Sequence, residues 1–379
     1  MARSLKISLV LVAAYLTPTL CGFFDYTDVE DPFAMVWTAR DQLIREPNSA
    51  CQAVLEDSSV IEGVCKNRAE CRLAGGIPRQ SCGIFSTCCT FAKSCGGTTS
   101  AKITNFQSGN TISAFSKPCH YTVKLHNKNI CQMRVDFIRM TLAPPSVDNS
   151  SMTVTCNTDL FFVDKFPRIP AICGRNDGQH MYIPVNATEG TMSVTLSILM
   201  TDRYTHPHLP IPNWHIRVTQ LECPGTRSAF TTENAAATDY NLIAPSGCLQ
   251  YYPERKGVFK SFGYDITRPD ISRYTVNQKY AICFKRPKDA CGIKFYANYF
   301  QISPQYGRLE TTCDDHLFIP GLVSPVNMVG KVCDHKSGST FVSETPGPLY
   351  VYFESDGMSD IQGKTDVGFD IGYDVMTVC

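Results

Sequence analysis

The chain reads as an all-β protein, two β-sandwiches behind a small disulfide-rich knot, and three observations point there. Alternation of period two runs through Met192, Val194, Leu196 and Ile198, and again through Phe369, Ile371, Tyr373 and Val375. Such spacing puts one apolar face of each strand against a core. Short apolar runs are separated by Pro, Gly and Asn turns in a sequence with 11% aromatic residues, as antiparallel sheets packed face to face require. After Cys95 no long run with helical period appears.

Composition narrows the class of protein. The 379 residues hold 35 Lys+Arg against 35 Asp+Glu, and only 18% are charged. A nucleic-acid binder normally shows a basic excess, and a disordered chain a high net charge with low hydrophobicity. With 43% hydrophobic residues the chain is long enough for several cores. Nineteen cysteines, not grouped in the paired spacing of zinc modules, point to an oxidising, extracellular setting.

Taken in order, residues 1–22 read as a signal peptide. Arg3 and Lys6 form the basic flank, Ile7 to Leu16 the apolar run, and Gly22 the end before cleavage. The run is too short for a membrane span, which needs about 20 apolar residues, and no later segment reaches that length. Cys21 leaves with the signal. Residues 23–50 form an acidic leader with Asp25, Asp28, Glu30, Asp31, Asp41 and Glu46 against Arg40 and Arg45. There Phe33, Val36, Trp37 and Leu43 fall at roughly helical spacing, open to reading as a docking helix or as a flexible leader.

The remaining eighteen cysteines divide into three groups of six. Cys51, Cys65, Cys71, Cys82, Cys88 and Cys89 fall in a knot over 51–94. Cys95, Cys119, Cys131, Cys156, Cys173 and Cys223 are separated by 24, 12, 25, 17 and 50 residues. Cys248, Cys283, Cys291, Cys313, Cys333 and Cys379 follow at 35, 8, 22, 20 and 46. One rhythm serves both, so 95–223 and 248–379 read as an internal duplication with 224–247 as linker. Local words agree: Cys156 begins CNTDLFFV and Cys313 begins CDDHLFIP, while QLEC closes the first copy and MTVC the second.

Both copies resemble the CUB domain, in the six-cysteine form found in secreted arthropod proteins. The words that carry this are CGG at Cys95, CHYTV at Cys119, Cys156–Asp159, ICGRNDGQHMYI around Cys173 and NWHIRVTQLEC to Cys223, with a looser match over 248–379. The resemblance implies a jelly-roll sandwich in each copy. It also implies pairing of Cys95 with Cys119 and Cys156 with Cys173, and of Cys248 with Cys283 and Cys313 with Cys333. The leftover pairs are then Cys131–Cys223 and Cys291–Cys379. Strand parity puts Cys291 and Cys379 on core-facing positions, whereas Cys223 is out of phase with Trp214, Ile216 and Val218 and needs a bulge. The knot resembles a clip domain, through EGVC at Cys65 and C-x5-C-C at Cys82–Cys89, with a divergent six-cysteine knot as the alternative. By that resemblance Cys51 pairs with Cys88, Cys65 with Cys82, and Cys71 with Cys89.

A clip unit raises the expectation of a protease, yet no Gly-x-Ser-Gly word, no H-E-x-x-H and no free span for a catalytic domain occur. His206 and His208 in THPHLPIP read as an exposed loop rather than a metal site. Many CUB domains hold calcium with a Glu and two Asp, and a hard cation needs several oxygen ligands. Asp159 matches one of them, but Thr141 and Leu142 stand where the second Asp belongs, and Asp159 reads as a turn residue starting a strand. In the second copy His316 takes the position of Asp159, with Asp315 displaced by one. No metal, cofactor or catalytic site is therefore expected. Asn149-Ser-Ser and Asn186-Ala-Thr are glycan acceptors if the protein is secreted.

The expected function is extracellular, non-enzymatic binding or recognition of another protein through the CUB copies, with no nucleic acid and no membrane span. Two alternatives stand beside it: a non-catalytic regulator or cofactor of an extracellular serine-protease cascade, and a structural component of an extracellular matrix. The loop DRYTHPH, Asp202 to His208, is the place singled out for a partner.

Overall fold

The computed structural model describes residues 50–55, 60–109, 118–186, 190–223, 239–265, 267–268, 271–303, 313–324, 330–359 and 366–379. The signal-peptide and leader readings, up to residue 49, and the linker over 224–238 lie outside the described residues. Within them the architecture is all-β, and no helix is long and apolar enough to cross a membrane.

The knot is a four-stranded sheet in the order Ala50–Val54, Val60–Asn67, Ser86–Thr90, Ile77–Ser81. A short helix, Arg68–Leu73, starts where the Asn67 side chain accepts the Ala69 N–H at 2.9 Å. Gly76 follows because a Cβ there would run into the Cys71–Cys89 sulfurs. One buried cluster is little more than Cys51, Ala53, Ile61, Cys65 and Cys88. A core that small cannot hold a fold alone, so covalent bonds carry it.

The first sandwich packs one sheet of Leu160–Val163, Ser193–Leu199, Cys119–Lys124 and Gly97–Thr99 on another. The second sheet runs His180–Pro184, Ile130–Thr141, Asn213–Glu222, Ile103–Gln107 and Ala92–Lys93. Its edge strand, Ala92–Lys93, pairs parallel with Ile103–Gln107, so the sheet begins directly where the knot ends. Arg217 ties the two units further, reaching Glu62 of the knot at 2.5 Å and Asp136 of its own sheet at 3.2 Å. Between the sheets Phe106 stacks on Tyr121 at 5.0 Å beside the buried Trp214.

The second sandwich repeats the plan. Cys248–Tyr252, Lys279–Phe284, Leu349–Glu354, His316–Phe318 and Lys331–Val332 form one sheet. Lys256–Lys260, Gly368–Met376, Gly292–Ile302, Thr340–Ser343 and Leu322–Ser324 form the other, with Asp334–His335 pairing beside them on Gly292–Ile302. Its core is aromatic: Phe259, Phe284, Phe295, Phe353 and Phe369 meet mostly edge to face.

A buried polar seam joins the sandwiches, built by residues 173–180 of the first. Asn176 Oδ1 accepts the Gly263 N–H at 2.8 Å, Gln179 Nε2 donates to the Ser261 carbonyl at 3.2 Å, and His180 Nε2 accepts the Tyr251 N–H at 3.0 Å. Gly263 sits at φ +80°, and a Cβ there would lie 2.9 Å from the Arg273 carbonyl oxygen, so only glycine fits this approach. The described end of the linker also packs down. Gln132 and Ala244 exchange two hydrogen bonds of 2.7 and 2.9 Å, the Tyr182 hydroxyl donates to the Leu242 carbonyl, and Asp239 pairs with Lys102 at 2.7 Å.

His180 is buried in the seam, and burial followed by the charge of nearby Arg134 lowers its pKa to about 4 from 6.5. The unfolded chain takes up this proton near 6.5 and the folded one only near 4, so stability is complete above that window and falls as pH drops through it. Protonation would also turn the Nε2 acceptor into a donor facing an N–H. The loss across the window is about 3 kcal/mol. An NMR titration of the native protein is expected to place the His180 midpoint near 4. A midpoint near the ordinary imidazole value would contradict the buried seam.

Candidate functional site

Each sandwich buries one carboxylate at the start of the equivalent strand, and the loops around it are organised by what that carboxylate accepts. In the first, Asp159 immediately precedes Leu160–Val163 and is completely buried. Its Oδ2 accepts the Ala143 N–H at 2.8 Å and the Arg203 guanidinium, and its Oδ1 accepts the Thr201 N–H at 3.0 Å. Arg203 also donates to the carbonyls of Pro210 at 3.0 Å and Thr201 at 2.6 Å. Isolated burial of a carboxylate would be prohibitive, and pairing plus hydrogen bonds offset it. The reading of Asp159 as a turn residue is thus incomplete: it is the anchor of three loops.

Arg203 belongs to the DRYTHPH loop. Behind it Asp202 accepts the Tyr204 N–H at 2.9 Å, and the Thr205 hydroxyl donates to the Asp202 carbonyl at 3.1 Å. In front, Tyr204 is 73% and Ile211 76% exposed, and the exposed rings of His206 and His208 stand 6.1 Å apart. The loop is clamped at its base and displays aromatic and apolar groups at its face.

In the second sandwich the residue at the position of Asp159 is Asp315, not His316. The strand His316–Phe318 starts one residue earlier relative to its cysteine than Leu160–Val163 does, so Asp315 takes the place just before the strand. Asp315 Oδ1 accepts the Asp356 N–H at 2.7 Å, as Asp159 accepts that of Thr201 from the corresponding loop. Its Oδ2 accepts the Tyr274 hydroxyl at 2.6 Å, which lies 3.3 Å from Asp366 Oδ1 and itself accepts the Ser303 N–H at 3.0 Å. Burial raises Asp315 to about 7, and burial with the two carboxylates pushes the Tyr274 phenol well up.

Among the described residues neither node leaves its carboxylate free for a calcium ion of the CUB type. In the first, a guanidinium already sits on the carboxylate. In the second, both oxygens of Asp315 hold an N–H or O–H donor, and Asp356 Oδ1 accepts the Met358 N–H at 2.8 Å. Among the described residues potential ligand atoms converge only at Cys51, Cys65 and Cys82, whose sulfurs are committed to disulfides.

The cysteines lie as follows. Cys51 is joined to Cys88, Cys65 to Cys82 and Cys71 to Cys89. Cys95 is joined to Cys119, Cys131 to Cys223 and Cys156 to Cys173. Cys248 is joined to Cys283, Cys291 to Cys379 and Cys313 to Cys333. Cys223 comes within reach of Cys131 just past a register shift between Leu221 and Glu222. Asn149 is exposed on the turn between Ser146–Asp148 and Thr153–Thr155, and Asn186 is half-buried after His180–Pro184.

Residues 245–376 match the family model of the animal CUB domain, so the second sandwich is a CUB domain. No curated protein matches the chain. Among solved structures, the chain is similar to the CUB1-EGF-CUB2 domain of human MASP-1/3, at 11% identity and TM-score 0.25 over 73% of this chain and 100% of that one. It is also similar to the CUB1-EGF-CUB2 domains of rat MASP-1, at 10% identity and TM-score 0.24 over 76% and 100%. The extracellular region of zebrafish Gpr126/Adgrg6 matches at 9% and 0.23 over 74% and 36%. A CUB domain with many disulfides is typical of extracellular proteins and supports a binding or recognition role.

Asp315 yields a pH prediction of opposite sign to that of His180. The unfolded carboxyl loses its proton near 3.8 and the folded one near 7, so stability is complete at the acid end and falls as pH rises through that window. Chemical denaturation of wild type and Asp315→Asn from pH 4 to 8 is expected to differ in slope, the variant lacking a wild-type loss of roughly 4 kcal/mol. Parallel curves would refute the raised proton affinity of the buried Asp315.

Proposed function

We propose that the protein is a secreted, non-enzymatic recognition protein that binds an extracellular protein partner through the clamped loop of its first sandwich. The observation that carries this reading is the pairing of a buried base, Arg203 on Asp159, with an outward face of Tyr204 and Ile211. An exposed tyrosine on a pre-ordered loop is the kind of side chain found at energetic centres of protein interfaces. On this reading the first sandwich is a second CUB domain, and Asn149 and Asn186 carry glycans. The clip-like knot favours a second reading, a non-catalytic cofactor of an extracellular protease cascade, in which the loop's partner is a protease.

Capture of partners from extracellular fluid by the immobilised protein, read by mass spectrometry, tests both. The double variant Tyr204→Ala with Ile211→Ser is expected to lose capture of the main partner at least tenfold, since interface aromatics typically contribute 2 kcal/mol or more, about a thirtyfold effect. Equal capture by the variant would sink the loop assignment. An active-site serine probe is expected to leave the protein unlabelled, and labelling would overturn the non-enzymatic reading.

A further inference from the structure

We infer that Arg203 is a built-in cation: it holds the loops at this end of the first sandwich in the order a metal ion would otherwise impose, so that the loop over 201–212 is pre-formed without metal. The inference concerns how the loop is held, and it stands or falls separately from what the loop binds.

Three observations combine. Asp159 is completely buried, and Thr141 and Leu142, the latter itself buried, stand at the end of Ile130–Thr141 where a second Asp would be expected. A divalent cation needs several hard oxygen ligands, and a single carboxylate does not supply them. The guanidinium does not merely neutralise that charge. With its planar fork it spans Asp159 Oδ2, the Pro210 carbonyl and the Thr201 carbonyl, linking both ends of the 201–212 loop to the strand start at 160. Asp159 in turn accepts the N–H groups of Ala143 and Thr201, which brings in the loop after Ile130–Thr141. One cation of fixed shape thus closes three segments around one buried anion.

The second sandwich shows the same position filled by different chemistry. There the donor reaching the buried carboxylate is the Tyr274 hydroxyl, and the Ser303 N–H after Gly292–Ile302 completes the node. The donor in the second copy is a neutral hydroxyl on a carboxyl whose pKa burial raises, and in the first it is a permanent cation. The two copies therefore close the same three-loop junction in two ways.

Arg203 also offers a local readout, because its side chain is committed inward although its loop is exposed. Trypsin cleaves after an accessible arginine, so cleavage between Arg203 and Tyr204 in the full native protein, followed by peptide mass, reports whether the guanidinium is held. Wild type is expected to be cut there slowly, at the same rate within twofold in a calcium chelator or in millimolar calcium. Asp159→Asn, which keeps the shape and removes the charge, is expected to be cut at least tenfold faster. Arg203→Lys, which keeps the charge but loses the fork, is expected to be cut several-fold faster and serves if the first variant does not fold. Faster wild-type cleavage on chelation, or unchanged cleavage in either folded variant, would overturn the inference.

Discussion

Two backbone N–H groups of the second sandwich, those of Tyr251 and Gly263, end on side chains of the first, His180 Nε2 and Asn176 Oδ1. The rest of the molecule depends on that exchange. A buried N–H without a partner is costly, so separating the sandwiches would leave donors on one side and acceptors on the other until water replaced them. The seam is therefore directional in a way an apolar contact is not, and it fixes one relative placement of the domains. The same short segment, 173–180, also carries the Cys173 disulfide to Cys156, three residues before Asp159. Domain placement and loop end are thereby mechanically connected in the first sandwich.

The two loop ends show how a duplicated fold keeps a junction while exchanging its chemistry. Each sandwich buries a carboxyl just before one strand and feeds it the N–H of a loop on the neighbouring strand, Thr201 in one and Asp356 in the other. What differs is the third partner, a guanidinium against a phenol, and with it the charge state the site can tolerate. The first junction supports an outward loop with Tyr204 and Ile211; the second lies against Asp366 and stays buried.

Much of the fold was legible in the sequence because it rests on period. Phe369, Ile371, Tyr373 and Val375 alternate and are all buried, and the phase error at Cys223 corresponds to a real register shift. Met192, counted with Val194, Leu196 and Ile198, instead lies exposed just before Ser193–Leu199, since alternation alone does not mark where a strand begins. The junctions were less legible. Arg203 and Asp159 are 44 residues apart and each looks ordinary locally. Asp315 appeared displaced because a cysteine, not the strand start, was the point of alignment. The seam was hidden for a different reason: Asn176, Gln179 and His180 are polar residues whose burial exists only because a partner 71 to 87 residues away covers them.

The central claim is that the sandwiches form one body through buried polar exchange, and amide hydrogen exchange at Tyr251 and Gly263 in the native protein tests it most directly. Both N–H groups are held by side chains of the other domain, so the account predicts protection comparable to that of core-strand amides such as Val351 and Ile371, lost only with global unfolding. Exchange of Tyr251 and Gly263 at the rate of exposed loops, while the core strands stay protected, would show that the domains part freely and would contradict it.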